Sequence, residues 1–298
     1  MQVRTEESAM SDEKRLQVLV AAVEEDPVTL AEHMNLTTEA IICNQCNTNQ
    51  YLEFHRKGQL IRVYEFKERG VGLNRNNGLL RCDAEFCLFS DEDIVYNDDY
   101  AQCVLEGFQR HPEADILMFN VAAVESRRTY ENIRAKRVRW YNYGRYPTYS
   151  MACRVESLRR ANVFFSLLYG GGARYSNGED SLFIHDCLKK GLKIYGLPVN
   201  IGHENRRQDG DESTWFKGYN RKFFFDRGVL YHDLYGAAAA VFALRFLLTH
   251  RKKMCTEISV SEAFGFMREG IREGSGKTSA VSGEDSGNAQ STEHTTGV

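Results

Sequence analysis

The sequence predicts an α/β fold with a mostly parallel central sheet, and three observations carry that reading. Short apolar runs alternate with helix-compatible segments through the first half of the chain. The opening run, Leu16 to Val23 (LQVLVAAV), is apolar and β-prone over nearly its whole length, as a strand buried on both faces would be. An acidic triplet, Asp91-Glu92-Asp93, stands directly behind another such run, where open α/β sheets gather their ligands. The composition agrees: 298 residues, 42% hydrophobic, 27% charged and four prolines give an enzyme-sized body with a sizeable core. They exclude disordered, collagen-like and disulfide-stapled classes. A net charge of −3 supplies no basic field, so nucleic acid is not an expected partner.

Element by element, Leu16 to Val23 ends in the turn Glu24-Glu25-Asp26-Pro27, and a short helix follows from Val28 to Met34. Glu39 to Cys43, Leu60 to Phe66, Glu85 to Phe89 and Asp115 to Val121 read as further strands. Leu73 to Cys82 and Tyr96 to Arg110 read as helices, the second with Tyr100, Val104, Leu105 and Phe108 on one face. Residues 127–160 are rich in Arg and Tyr, and the strand-like pieces Arg137 to Tyr141 and Thr148 to Arg154 suggest a hairpin-like insertion. A helix from Glu179 to Lys190 leads into a strand from Leu192 to Ile201, and helical segments occupy much of Ser213 to Glu273.

The resulting organisation is a domain over residues 15–235, a helical extension over 236–273, and disordered termini over 1–14 and 274–298, the latter too poor in apolar side chains to offset ordering. No apolar run approaches the roughly 20 residues of a membrane span. Gly236 to Leu248 comes nearest; Arg245 interrupts it and Arg251, Lys252 and Lys253 follow, so it reads as a core helix or one lying on a membrane surface. Eight cysteines without framework spacing fit reduced thiols in a cytoplasm. Cys43-x-x-Cys46 has no second pair to complete a zinc site.

Four features carry chemistry. Asp91 and Asp93 offer hard oxygen ligands for a divalent cation and a diphosphate, or else cap the helix that follows. The segment Glu68 to Gly78 (ERGVGLNRNNG) is a glycine-bearing loop that feeds a helix, with Arg69 and Arg75 placed to meet an anion. It is neither a Walker loop nor a GxGxxG fingerprint, which removes the main support for ATPase and dehydrogenase readings. Gly170-Gly171-Gly172 forms a flexible or close-approach loop before Glu179 and Asp180, acidic residues of a first helical turn. His203 ends a strand and is the side chain best suited to complete a carboxylate metal site.

In this order, LVAAVEED, ERGVGLNRNNGLL, FSDEDI and GGGARYSNGEDSLF followed by His203 resemble family-two glycosyltransferases of the GT-A fold. The similarity spans roughly Leu16 to Tyr231, and STWFKGYNRKFFFDRGVLY resembles the C-terminal helix of a bacterial subgroup. The resemblance implies a Rossmann-like sheet and an inverting transfer of a sugar from a nucleoside diphosphate-sugar. It implies manganese or magnesium held by Asp93, Asp91 and His203, with Asp91 also touching the nucleotide. Asp180, with Glu179 beside it, becomes the general base. Arg75 would hold the nucleotide or its phosphates, and Ala21 and Glu24 would line the base pocket. Where the family often has an aspartate after the second strand, this chain has Asn44-Gln45-Cys46-Asn47, so an amide such as Asn44 would read the base, with uridine the default.

The QxxRW signature of processive synthases is absent, which implies one sugar per encounter. The acceptor implied is a glycan or lipid-linked hydroxyl, bordered by the Arg- and Tyr-rich stretch from Arg134 to Tyr149 with Trp140 and Tyr143. The location implied is cytoplasmic, with peripheral contact at the inner membrane face through the C-terminal helices. Two other readings use the same acidic strand end: a nucleotidyltransferase or metal-dependent phosphohydrolase, and a non-catalytic nucleotide- or glycan-binding module.

Overall fold

The structure is a computed structural model that describes residues 15–123, 130–205 and 218–284. The sequence divides into two units, residues 1–215 and 216–298. The first is built on one sheet of ten strands in the order β3-β4-β2-β1-β5-β9-β7-β10-β6, with β8 also on β10. Along the chain these are β1 (Leu16–Val23), β2 (Glu39–Gln45), β3 (Gln50–Arg56), β4 (Gln59–Phe66), β5 (Phe86–Asp91), β6 (Ile94–Tyr96), β7 (Ile116–Ala122), β8 (Lys136–Val138), β9 (Met151–Arg154) and β10 (Ile194–Glu204). The pairs β1 with β2, β2 with β4, β1 with β5 and β7 with β10 are all parallel, so their carboxyl ends share one rim.

The alternation within β1 explains its double burial. Leu16, Val18, Val20 and Ala22 join one face of the core with Leu30 and Ala31 of α1 (Pro27–His33), Met34 just after it, and Tyr100, Val104 and Phe108 of α3 (Tyr100–Arg110). Leu19 faces the other side, where a Cβ on Gly78 of α2 (Val71–Arg81) would lie 3.5 Å from it and 3.7 Å from the Cys43 sulfur. Cys43 is thus a packing residue whose thiol burial pushes up to about 12. That second face also receives α5 (Glu179–Lys189) through Phe183, which stacks on Phe165 with 4.0 Å between ring centroids.

The hairpin-like insertion does not form. β8 runs antiparallel to β10, whereas β9 wedges antiparallel between the parallel strands β5 and β7. A lone four-residue strand of Met, Ala, Cys and Arg satisfies its backbone groups on both sides only at such a central place. Its insertion lays the preceding turn, Thr148–Ser150, beside the ends of β5 and β7. β3 and β6 are strands that apolar patterning missed. β3 is an edge strand with polar alternation, and β6 is three residues long.

The second unit contains α6 (Arg221–Tyr235), α7 (Ala239–Met254) and α8 (Val260–Glu284). A Cβ on Gly228 would lie 2.1 Å from the Met267 carbonyl oxygen, and one on Gly270 2.1 Å from that of Phe225. The backbones of α6 and α8 therefore touch, which binds α6 to the extension and moves the division upstream of the expected boundary at 235. The helix also continues to Glu284, beyond the predicted start of disorder at 274, and a Cβ on Gly274 would lie 2.7 Å from the His232 ring of α6. Residues 1–14, 285–298 and the Gln208 to Trp215 segment lie outside the described residues. In α7, Ala239, Ala243 and Leu247 are buried while Val241, Leu244 and Leu248 are exposed, so the helix has an inward and an outward apolar face. Among the described residues no helix is long and apolar enough to cross a membrane.

Candidate active site

The site forms around one buried cation. Arg75, 5% exposed on α2, donates from Nη2 to Asp91 Oδ1 at 2.8 Å and from Nη1 to Asp180 Oδ1 at 3.2 Å and Glu179 Oε1 at 3.3 Å. Three carboxylates from β5 and from α5, far apart in sequence, thus meet on a single guanidinium. Burial works against the charge of Arg75, but the carboxylates outweigh it and hold the group above its ordinary range. Both terminal nitrogens bond to carboxylates of the protein and Nε is buried without a partner, so in this structure Arg75 clamps Asp91, Glu179 and Asp180 together.

The clamp is itself held. Asn76 accepts from the Phe165 backbone N–H at 2.8 Å and donates to its carbonyl at 2.9 Å, which fixes the Phe165 ring beneath Arg75, 5.5 Å from guanidinium carbon to centroid. Asn74 donates to the Cys43 carbonyl at 2.7 Å and locks α2 onto β2.

Glu179 and Asp180 differ in their surroundings. Glu179 is nearly enclosed, and its Oε2 accepts the Gly178 backbone N–H at 3.1 Å. Burial, then the charge of Asp180, pushes its carboxyl up to about 7. Asp180 is also raised by burial, with Arg75 and Thr148 opposing. Its Oδ1 accepts from both Arg75 and the Thr148 hydroxyl, and the side chain keeps 32% of its surface. The glycines before them serve close approach: with φ at +99°, Gly170 leaves the Glu179 carboxyl carbon 2.8 Å from where a Cβ would stand. A Cβ on Gly172, at φ +78°, would stand 3.0 Å from the Gly70 nitrogen, and the Gly171 carbonyl accepts from Val71 N at 2.9 Å, so this loop is seated against the start of α2.

Asp93 lies where β5 turns into β6. Its carbonyl accepts from Asn205 N at 2.7 Å, and β6 pairs antiparallel with β10, Val95 opposite His203. The exposed His203 thus stands opposite Val95, two residues along the chain from Asp93. Tyr149 bridges to the same place. Its hydroxyl donates to Glu204 Oε1 at 2.8 Å, and its phenol is pushed well up by burial, then by Glu204, Asp91 and Asp93. Among the described residues no three His, Cys, Asp or Glu side chains form a group able to hold a metal ion. Magnesium takes as few as one or two carboxylates and completes its shell with water and substrate phosphates, so Asp93 is compatible with it without such a group. Glu92, the middle of the triplet, has a structural use: it accepts from the Val23 backbone N–H at 2.6 Å.

On the expected nucleotide side the structure departs from the sequence reading. Asn44 is 2% exposed, and its amide is consumed by the Glu25 backbone, accepting at 3.2 Å and donating at 2.8 Å. It holds the turn after β1 and has no face for a base. Glu24, at φ +56°, pairs with Arg69 at 2.7 Å, and Ala21 sits in register with Asp91. Thr148 and Tyr149 fell only within the broad stretch from Arg134 to Tyr149, and Glu204 and Phe165 were not singled out by sequence; a hydroxyl pair just ahead of a short apolar strand is too common a pattern to mark them.

Residues 11–164 match Glycosyl transferase family 2. The chain belongs to that family. Solved structures of S. aureus TarS residues 1–349 share its fold: the complex with UDP-GlcNAc at TM-score 0.60 and 16% identity, covering 86% of this chain and 81% of that one, and the complex with UDP at TM-score 0.56 and 16% identity, covering 87% and 81%. No curated protein matches the sequence. The protein is a glycosyltransferase with a GT-A fold, a mixed sheet flanked by helices and followed by further helices.

Proposed function

We propose that this glycosyltransferase moves one sugar from a nucleoside diphosphate-sugar, a uridine one by analogy with the ligands of TarS, to a hydroxyl of a glycan or lipid-linked acceptor, with inversion. The observation that supports it best is the convergence of Asp91 and Asp180 on buried Arg75, which holds a strand-end carboxylate and a base candidate at a fixed separation. The acceptor oxygen attacks the anomeric carbon as the bond from that carbon to the diphosphate breaks. Asp180 takes the hydroxyl proton, on Oδ2, because Oδ1 already serves two donors. Its raised pKa makes it a stronger base near neutral pH than an ordinary aspartate. Glu179, enclosed and bonded to Gly178, positions Arg75 and contributes no proton transfer of its own. Asp93 and His203 would hold manganese or magnesium. A bound divalent cation supplies neutralisation of the charge that develops on the departing diphosphate.

The location that suits such donors is the cytoplasm, and the outward apolar face of α7 beside Arg251, Lys252 and Lys253 suits contact with an anionic membrane surface. The test is product analysis on a panel of nucleotide-sugars, with and without EDTA. Release of nucleoside diphosphate that EDTA suppresses is expected. Release of pyrophosphate would favour nucleotidyl transfer, and no turnover alongside nucleotide binding would favour a binding module.

A further inference from the structure

Arg227 of α6 is a cation without an acid. Its Nε is buried and has no hydrogen-bond partner, and among the described residues no carboxylate pairs with it. The neighbouring acids of α6 are engaged elsewhere: Asp226 with Lys222 at 2.6 Å and Asp233 with His232 at 3.2 Å. We propose that Arg227, with Arg245, His250 and Lys253 of α7, binds a phosphate group. The assignment goes beyond the transfer reading and does not rest on it.

Aromatic side chains surround the guanidinium. Phe223, one turn earlier on α6, and Phe246 of α7 hold their ring centroids 5.3 and 4.9 Å from its carbon. The polar groups that act on it most are phenols, Tyr231 first and then Tyr235 and Tyr219. Rings attract the charge, but they are weak acceptors for N–H groups that a charged oxygen satisfies at short range. Burial pulls Arg227 below its ordinary range, the opposite of Arg75, which three carboxylates hold above it. A guanidinium does not shed its proton near neutral pH, so the charge stays and calls for an anion that the described residues do not supply.

Further cations converge on the same rings. His250 packs on Phe246 with 4.9 Å between ring centroids, and its imidazole is pulled down by burial first and then by the charges of Arg227 and Lys253. Arg245 acts on the same Tyr231 phenol as Arg227. No acidic residue stands anywhere in α7, AAVFALRFLLTHRKKM, to neutralise them. Arg245, His250 and Lys253 are exposed and Arg227 is half-buried, so the cluster opens to solvent. A phosphate suits several cations better than a carboxylate does. It brings up to about two negative charges and three acceptor oxygens, and a planar guanidinium takes its oxygens in pairs. That chemistry is shared by a phospholipid headgroup and a soluble phosphate; the outward apolar residues of α7, Val241, Leu244 and Leu248, favour the headgroup.

The experiment titrates the full chain with inorganic phosphate by calorimetry, in EDTA and against chloride of equal ionic strength. In parallel, the chain is sedimented with vesicles of mixed phosphatidylglycerol and phosphatidylcholine, or of phosphatidylcholine alone. Arg227→Met puts an apolar side chain in place of the charge and leaves no acid unpaired. The double variant Arg245→Gln with Lys253→Gln, at exposed positions, serves if the first fails to fold. Binding of inorganic phosphate, of the anionic vesicles or of both is expected, weakened about tenfold or more by the variant. Sedimentation with the anionic vesicles makes the ligand a headgroup, and phosphate bound without sedimentation makes it a soluble phosphate. Absence of both, or binding that the variant leaves unchanged, overturns the assignment. UDP with manganese, followed by thermal shift, should bind variant and unaltered chain alike, which separates a phosphate response at Arg227 from one at the candidate active site. UDP bound by neither chain would count against the transfer reading alone.

Discussion

The two sides of the sheet treat polar groups in opposite ways. On the side of β1, β2 and β4, the buried amides at the carboxyl rim bond to backbone: Asn44 to Glu25, Asn74 through its nitrogen to Cys43, and Gln45 accepting the Gly70 N–H at 2.7 Å. On the side of β5, β7 and β10, Asp91, Glu179 and Asp180 share one guanidinium, and Asp91, Asp93 and Glu204 press on one phenol. Amides tied to backbone maintain structure. An acidic excess around a single cation costs stability, and a site that takes up a cation and a proton gives that excess a use.

The sharpest way to break this contrast is Arg75→Met, which leaves three partly buried carboxylates without their partner. Loss of about 3–5 kcal/mol of stability and of all transfer is expected, read by denaturant unfolding and a donor-turnover assay. A stable, active variant would show that the carboxylates do not depend on the clamp. Next in size is Asp180→Asn, which keeps the side-chain shape and lets Arg75 and Thr148 retain an oxygen acceptor. Turnover should fall by about 10²-fold or more with the melting temperature held or raised, because a negative charge leaves an acidic cluster. An unchanged rate would remove Asp180 from the chemistry.

Asn44→Ala examines the side of β1, β2 and β4. It strands the N–H and the carbonyl of Glu25 and should cost about 1–3 kcal/mol of stability, with KM for the donor unchanged once the protein is folded. A selective rise in KM would restore Asn44 as a nucleotide contact.

What sequence could disclose follows from these two regions. Apolar runs located β1, β2, β4, β5 and β7, because strands buried on both faces leave a pattern that needs no partner to be read. The acidic residues Asp91, Asp93, Glu179 and Asp180 stood out in sequence only through their order along the chain, since carboxylates also favour helix starts for electrostatic reasons. The use of Arg75 was not. A lone arginine on a helix points toward phosphate until the fold delivers Asp180, 105 residues away, to its other nitrogen. The same applies to Asn44, whose saturation by a backbone only 19 residues away depends on a left-handed turn at Glu24. β9 is the third case. Its antiparallel insertion between β5 and β7 has no local signature, yet it carries Thr148 to Asp180 and Tyr149 to Glu204.

The smallest effect is the pH dependence that Glu179 imposes. Its folded pKa of about 7 lies above the ordinary 4.5, so between those values the native state binds a proton that the unfolded chain has released. The stabilising contribution is therefore present in full below the ordinary value, declines as pH rises through that window, and is gone above about 7. Thermal melts from pH 5 to pH 8 should show this decline, and Glu179→Gln, which cannot titrate, should flatten it. Turnover should instead rise with pH, since Asp180 must lose its proton to act as base and its pKa is raised as well. Opposite slopes for stability and activity would tie both to the acidic cluster around Arg75, whereas parallel slopes would place the titrating group elsewhere.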